Sequence, residues 1–299
     1  MITKLEELIE LAKGKEKKTI AVAAAQDKPV LEAVSDAVKL GIVNAILVGD
    51  KVAIEKIAKE NNINIDSMEI IHEEDLVKSA AKAVECVVLG KAQYLMKGLL
   101  GTSVLLKAVL NKEVGLRGQG LLSHVMVYDL PTYHKLIYLT DGGMVMYPQL
   151  KEKVGIIENA VKVAYSLGNN EPKVAALCAV EVVNPSMQAT VDAASLAQMN
   201  KSGEIKGCMV EGPLALDNAI SKEAAEHKGI KSEIAGDVDI LLVHSIETGN
   251  ALGKSMTYFA NGKSAGVIMG AKCPIVLVSR ADSAESKLYS IALGALIDA

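Results

Sequence analysis

The stretch TIAVAAAQDKPVLEAVSDAVKLGIVNAILVG, residues 19–49, decides the fold class. Residues 19–25 are an apolar run of strand length, 29–41 repeat apolar residues at helical spacing, and 45–49 return to an apolar strand. Pro29 suits the first turn of that helix, where its missing N–H would have no partner, and Gly41 suits the stop. Near-continuous apolar strands alternating with helices are the mark of βαβ units, whose parallel sheet is covered on both faces. The class is α/β.

The same rhythm extends outward. Further helices fit 51–60 and 75–89, and the opening MITKLEELIELAKG puts Ile2, Leu5, Leu8, Ile9 and Ala12 on one helical face with Gly14 as a stop. After residue 120 the strands change character: HVMVYDL (124–130) and KLIYLTD (135–141), split by a turn at Pro131, predict an antiparallel pair. Alternation resumes through VAALCAV, GCMVEG, VDILLVHS and PIVLVS. The change marks a domain boundary, and domains joined without a flexible tether often place a cleft between them.

Charge and composition narrow the function. The 32 Lys and Arg against 36 Asp and Glu leave a net charge of −4, so no global positive field attracts a phosphate backbone and nucleic acid is not an expected partner. No basic segment followed by a long apolar core opens the chain, and no apolar run of about 20 residues is present to span a bilayer. The expected compartment is the cytoplasm, without a membrane partner. Cys86, Cys178, Cys208 and Cys273 are far apart, lack a CxxC pairing and sit beside apolar residues, which predicts buried reduced thiols. His72, His124, His134, His227 and His244 form no HExxH or His-x-His pattern, so no metal is expected.

In an open α/β sheet ligands lie beyond the carboxyl ends of the strands, which directs attention to MKGLLGTS (96–103), VEGPLALD (210–217), HSIETGNALGKS (244–255) and VSRADS (278–283). In the last of these, Asp282 and Glu285 have capping-box spacing, so a helix is expected to start just after Arg280. A helix N-terminus beside an arginine fork makes an anion site; the bland alternative is a surface arginine and a turn-forming Ser279. TGNALGKS resembles a P-loop with Thr248 in place of the first glycine, so Lys254 and Ser255 at a helix start offer a place for a phosphate, against the alternative of a solvated lysine. In GLLGTS, Thr102 and Ser103 are either ligand-facing hydroxyls or an N-cap, and Asp217 is either functional or a capping aspartate.

Taken together, MKGLLGTS, VEGPLALDNAIS (210–221), SEIAGDVDILL (232–242), TGNALGK (248–254) and PIVLVSRADS (274–283), in that order, resemble the phosphate acetyl/butyryltransferases over essentially the whole chain, and look most like their butyryltransferase branch. The resemblance implies transfer of a short acyl group, butyryl first, between coenzyme A and inorganic phosphate, with no cofactor beyond coenzyme A as substrate. It implies two α/β domains similar to the isocitrate/isopropylmalate dehydrogenase fold, with the site in the cleft between them. With the C-terminal helix returning to the first domain, these would be 1–130 plus 270–299, and 131–269. It also implies self-association into a homo-oligomer.

By the same resemblance, Arg280 binds the phosphate and Ser279 helps hold the reacting group, while Thr102, Ser103, Asp217, Gly249, Asn250 and Lys254 match substrate-binding positions. One position departs from the family: acetyltransferase members carry an aspartate base seven residues after the serine, and here Ser286 stands there. Glu285, Asp282 and Asp217 are the acidic residues left to consider. No cysteine lies within the four junctions and no Ser-His-Asp order is evident, so direct transfer in a ternary complex is expected. The competing readings are acetyl or another chain length, a P-loop-like kinase or NTPase, a decarboxylating NAD-dependent dehydrogenase, and a non-catalytic binding module.

Overall fold

The computed structural model describes residues 1–118, 120–279 and 281–298. Up to Gly120 the chain runs α1 (Glu7–Lys13), β1 (Lys18–Ala23), α2 (Lys28–Lys39), β2 (Val43–Gly49), α3 (Lys51–Glu60), β3 (Glu69–His72), α4 (Leu76–Val88), β4 (Tyr94–Lys97) and α5 (Thr102–Val109). There follow β5 (Ser123–Asp129), β6 (Ile137–Thr140), α6 (Leu150–Ser166), β7 (Lys173–Leu177), α7 (Gln188–Lys201), β8 (Met209–Leu214), α8 (Leu216–Ile220), α9 (Lys222–His227), β9 (Ile240–Leu242) and α10 (Ile246–Tyr258). The chain closes with β10 (Lys263–Met269), β11 (Ile275–Val276) and α11 (Ala284–Leu296). It divides into two compact units, Glu6–Gly120 with Ala265–Ala299, and Met1–Leu5 with Leu121–Ser264.

The first unit orders its strands β3-β2-β1-β4-β11-β10, parallel except where β10 meets β11. Ile20, Val22, Leu47 and Leu95 are fully buried, as strands covered on both faces require. Each such side chain contributes about 1.5–3 kcal/mol. The C-terminal helix α11 packs on α1 and α2. Its fit over β4 is close: the Tyr94 hydroxyl donates to Ile291 O at 3.0 Å, and a Cβ on Gly294 would lie 2.7 Å from the Tyr94 ring.

The second unit orders its strands β5-β6-β9-β7-β8. β5 and β6 are antiparallel, as the Pro131 turn predicts, and the remaining pairs are parallel. Tyr128, Ile137, Leu139, Leu241 and Val243 lie in its core.

Several expectations need correction. The helix foreseen from residue 1 begins at Glu7, because the first five residues are tied elsewhere in the second unit: Ile2 N–H bonds Leu167 O, and Asp129 accepts from both Leu5 N–H and the Lys4 ammonium. Asp282 is not the N-cap of α11. Ser283 is, accepting from Ser286 N–H at 3.1 Å, which moves the helix start one residue on. β3 and β10 add two strands that the apolar pattern does not predict. Gly266 interrupts the apolar pattern of β10, and its N–H is instead satisfied by the Ser290 hydroxyl at 2.9 Å. The cysteines are all free thiols, with Cys86 and Cys273 buried but Cys178 and Cys208 only partly so.

Tyr94→Phe tests the α11 seat. Removing the hydroxyl takes away one hydrogen bond while the Ile291 carbonyl keeps its place in the α11 ladder, so stability in urea should drop by about 0.5–1.5 kcal/mol with an unchanged m-value; an unchanged midpoint would show that the bond contributes nothing.

Candidate functional site

In the first unit the carboxyl ends of β1 and β4 run side by side. Gly98 N–H bonds Ala23 O at 2.8 Å and Leu99 N–H bonds Ala24 O at 2.7 Å, so pairing continues past the strands. A Cβ at Gly98 would lie 2.2 Å from Ala24 O, so only glycine permits this approach. The chain then turns into α5, whose N-cap is Gly101. Thr102 and Ser103 are therefore not caps. They occupy the first turn, with Ser103 exposed, and among the described residues no side chain caps the N–H groups beside them.

Beyond β11 the chain makes a closed turn. Ser279 N–H donates to Asp282 Oδ2 at 2.8 Å, Asp282 N–H to Ser279 O at 3.1 Å, and Ala281 N–H to Ser279 Oγ at 3.4 Å. Lys287, 2% exposed on α11, donates from Nζ to the Asp282 carbonyl and so pins the turn from beneath. Burial pulls the Lys287 ammonium below its ordinary range, against the opposing charges of Asp282 and Asp27. Arg280 lies outside the described residues.

The second unit carries the other predicted residues. TGNALGKS is not a loop: residues 248–255 lie inside α10, and Lys254 is well past its Ser245 cap. The P-loop expectation is thereby overturned, because helical N–H groups bond within the helix and cannot cradle phosphates. The glycines serve packing instead. A Cβ on Gly249 would meet Gly142 Cα at 2.6 Å and Asp141 O at 2.8 Å, and one on Gly253 would meet the Tyr128 hydroxyl at 2.6 Å. Asn250 Nδ2 reaches Gly142 O at 3.5 Å, and the exposed Lys254 ammonium lies 6.0 Å from the Tyr258 ring centroid.

The turn that α10 packs against is organised by Asp141, 2% exposed. Its carboxylate accepts N–H groups from Gly143, Met144, Val145 and His124 at 2.7–3.2 Å. Asp217 lies on α8. It pairs with Lys228 at 2.9 Å, which also bridges to Glu181 at 2.7 Å, and the hydrogen bond from Lys228 holds its carboxyl below the usual range.

Sequence reasoning missed a cluster at the carboxyl end of β9. Lys153 Nζ lies 2.5 Å from Asp192 Oδ2 and 3.0 Å from His244 Nδ1, and Gln188 Nε2 donates to Asp192 Oδ1 at 2.8 Å. Lys153 is 39 residues from Asp192 and 91 from His244 in sequence, so no local spacing announces their meeting. Among the described residues no group of His, Cys, Asp or Glu is arranged to hold a metal ion, and no helix is long and apolar enough to cross a membrane.

Hydroxyls at the start of α5 in the first unit, and lysines beyond the parallel strands of the second, are the arrangement of an open-sheet α/β protein. Comparison with known proteins takes this further. A model for the family described as phosphate acetyl/butaryl transferase matches residues 3–79 and 72–295. Phosphate butyryltransferase of Clostridium acetobutylicum is 52% identical over 297 residues, 99% of each chain. A branched-chain phosphotransacylase from Enterococcus faecalis V583 has the same architecture, with a TM-score of 0.82 at 36% identity over 94% of this chain and 99% of its own. A 4-hydroxythreonine-4-phosphate dehydrogenase from Klebsiella pneumoniae, 13% identical with a TM-score of 0.55 over 93% of this chain and 98% of its own, shares the dehydrogenase-like α/β fold alone. The chain belongs to the phosphate acetyl/butyryl transferase family and is a phosphate acyltransferase. The kinase reading lapses.

Gly249→Val tests the packing role of the α10 glycines. The added atoms meet backbone rather than flexible side chains, so α10 must shift, and a stability loss of about 1–3 kcal/mol with reduced activity is expected. Wild-type thermal stability in this variant would refute the close contact.

Proposed function

We propose that this protein transfers a butyryl group between coenzyme A and inorganic phosphate. Phosphate oxygen attacks the thioester carbonyl carbon, a tetrahedral oxyanion forms, and the C–S bond breaks to release the coenzyme A thiolate, which takes up a proton. The reverse reaction begins with that thiolate. The observation that carries this reading is the full-length match, 52% identical, to a phosphate butyryltransferase. The closed Ser279–Asp282 turn at the start of α11 supports it, since a fixed turn beside a helix N-terminus suits an anion.

In this proposal Arg280 and Ser279 hold the phosphate and the reacting group. Thr102 and Ser103 supply first-turn hydroxyls, Asn250 and Lys254 present the α10 contacts on a helix that Gly249 seats against Gly142, and Asp217, anchored by Lys228, completes the substrate-binding set. Transfer is direct. Burial pushes the thiols of Cys178 and Cys208 up to about 11 and that of Cys273 up to about 12, and raises Cys86 as well, which disfavours a thiolate nucleophile on the protein.

The reaction runs without the aspartate base. The acidic alternatives are engaged: Asp282 accepts from Ser279 N–H, Glu285 accepts from the Tyr289 hydroxyl at 3.0 Å, and Asp217 pairs with Lys228. A free thiol with a pKa of about 8.5 is already a few per cent thiolate near neutrality and strongly nucleophilic, so positioning and oxyanion stabilisation are the larger tasks. The same reading makes the protein a cytoplasmic homo-oligomer whose substrates are its only small-molecule requirement. Phe259, 91% exposed at the end of α10, is the kind of surface residue that self-association covers.

An acyl-CoA panel from acetyl to hexanoyl, mixed with phosphate while free thiol is followed, tests the reaction and its chain length. Release should require phosphate and peak at butyryl-CoA; a peak elsewhere would reassign the substrate, and no release would refute the activity. Arg280→Ala should lower kcat/KM for phosphate about 10- to 100-fold, the loss expected for one charge-assisted hydrogen bond. Normal phosphate saturation in that variant would remove Arg280 from the site. In the coenzyme A-consuming direction the rate should climb with pH toward about 8.5, because the thiolate fraction rises as the thiol loses its proton. Ser286→Asp should stay active and flatten that climb.

A further inference from the structure

The cluster behind β9 constrains the chemistry of His244. Lys153 on α6 is 3% exposed and Asp192 on α7 is 7% exposed, while His244 is partly exposed between β9 and the Ser245 cap of α10. An ammonium group has hydrogens to donate and no lone pair, so in the 3.0 Å contact Lys153 is the donor and His244 Nδ1 the acceptor. The ring proton is thereby assigned to Nε2. Burial, and then the charge of Lys153, hold the imidazole below its ordinary range, in keeping with a neutral ring. Asp192 counters the lysine charge. Although burial alone would raise its carboxyl, the bonds from Lys153 and Gln188 outweigh that and keep it ionised.

With Nδ1 occupied and Nε2 protonated, the ring has no lone pair free to accept a proton. His244 is therefore no substitute for the absent aspartate base. What it offers is a neutral N–H, made more acidic by the ammonium on the opposite nitrogen. Among the described residues Nε2 makes no hydrogen bond. A buried Lys–Asp pair usually stabilises less than apolar packing of similar volume, so its presence behind a histidine at the ligand-facing edge of the sheet calls for a use.

We propose that His244 is a further catalytic residue, donating from Nε2–H to the carbonyl oxygen of the acyl group under attack, with Lys153 and Asp192 as positioning residues. This rests on the acyl-transfer reading above. Anionic phosphate calls for cations such as Arg280 and Lys254; a carbonyl that becomes an oxyanion calls for a directional neutral donor. The bond strengthens as the C=O electrons move onto oxygen and relaxes when the C–S bond breaks. No proton is transferred. His244 lies one residue before the Ser245 cap of α10, the helix that carries the proposed contacts Asn250 and Lys254.

Two measurements on the full chain test this. Nitrogen-15 NMR of histidine-labelled protein, with the signal identified by its loss in His244→Gln, should show a neutral Nε2–H ring from about pH 6 to about pH 9, where an ordinary histidine would titrate. Lys153→Met should return it to a titrating, mixed-tautomer ring; should that variant not fold, the wild-type spectrum decides. An imidazolium or an Nδ1–H ring in the wild type would overturn the assignment. In the butyryl-CoA assay His244→Ala should lower kcat about 100- to 1000-fold with little change in KM for phosphate, and His244→Gln, which keeps an N–H donor, should recover at least about tenfold. An active wild type with an equally active His244→Ala would overturn the role of His244 alone. A wild type without phosphate-dependent thiol release from any acyl-CoA would overturn the reaction and this role with it.

Discussion

The contact between Gly142 and Gly249 governs the second unit's site. Backbone meets backbone there, since a Cβ on Gly142 would lie 2.7 Å from Gly249 C and one on Gly249 would lie 2.6 Å from Gly142 Cα. That approach lets α10 sit directly against the turn leaving β6, whose N–H groups are gathered by the buried Asp141 carboxylate. Asn250, Lys254 and the preceding His244 take their directions from it. A larger residue at either position would move the helix and everything mounted on it.

The first unit solves a related problem by other means. Its turn at Ser279–Asp282 is held by hydrogen bonds among its own members and by a buried lysine below. Burying Lys287 is costly unless its ammonium is satisfied, and the Asp282 carbonyl provides for that. The result is a serine whose backbone is constrained by its own turn. In this chain the Ser286 backbone lends its N–H to the Ser283 cap and its carbonyl to the Ser290 hydroxyl, and its side-chain hydroxyl lies 3.3 Å from that of Ser283.

Much of this was legible in the amino-acid order, and the failures are instructive. The helix at 51–60 has the bounds expected of it, because Asp50 caps it locally by accepting from Val52 and Ala53 N–H groups. The opening helix was misjudged because long-range bonds from residues 2–5 overrode its helical periodicity. TGNALGKS misled more seriously. Glycines spaced for a phosphate loop and glycines spaced for close helix packing look alike in one dimension, and only the contacts of Gly249 and Gly253 distinguish them. The five ordered segments still identified the family, which the full-length relatives bear out.

Local order thus decided the α/β class, most helix positions and the family, since these depend on periodicity, capping and short motifs carried within a few residues of one another. Folding in three dimensions decided which glycines pack rather than bind, which hydroxyl caps α11, and that Lys153, Asp192 and His244 meet at all. Those outcomes depend on distances between residues remote in sequence. A hydrogen bond or a steric contact acts only at a few ångströms, and the order of residues along the chain does not contain that separation.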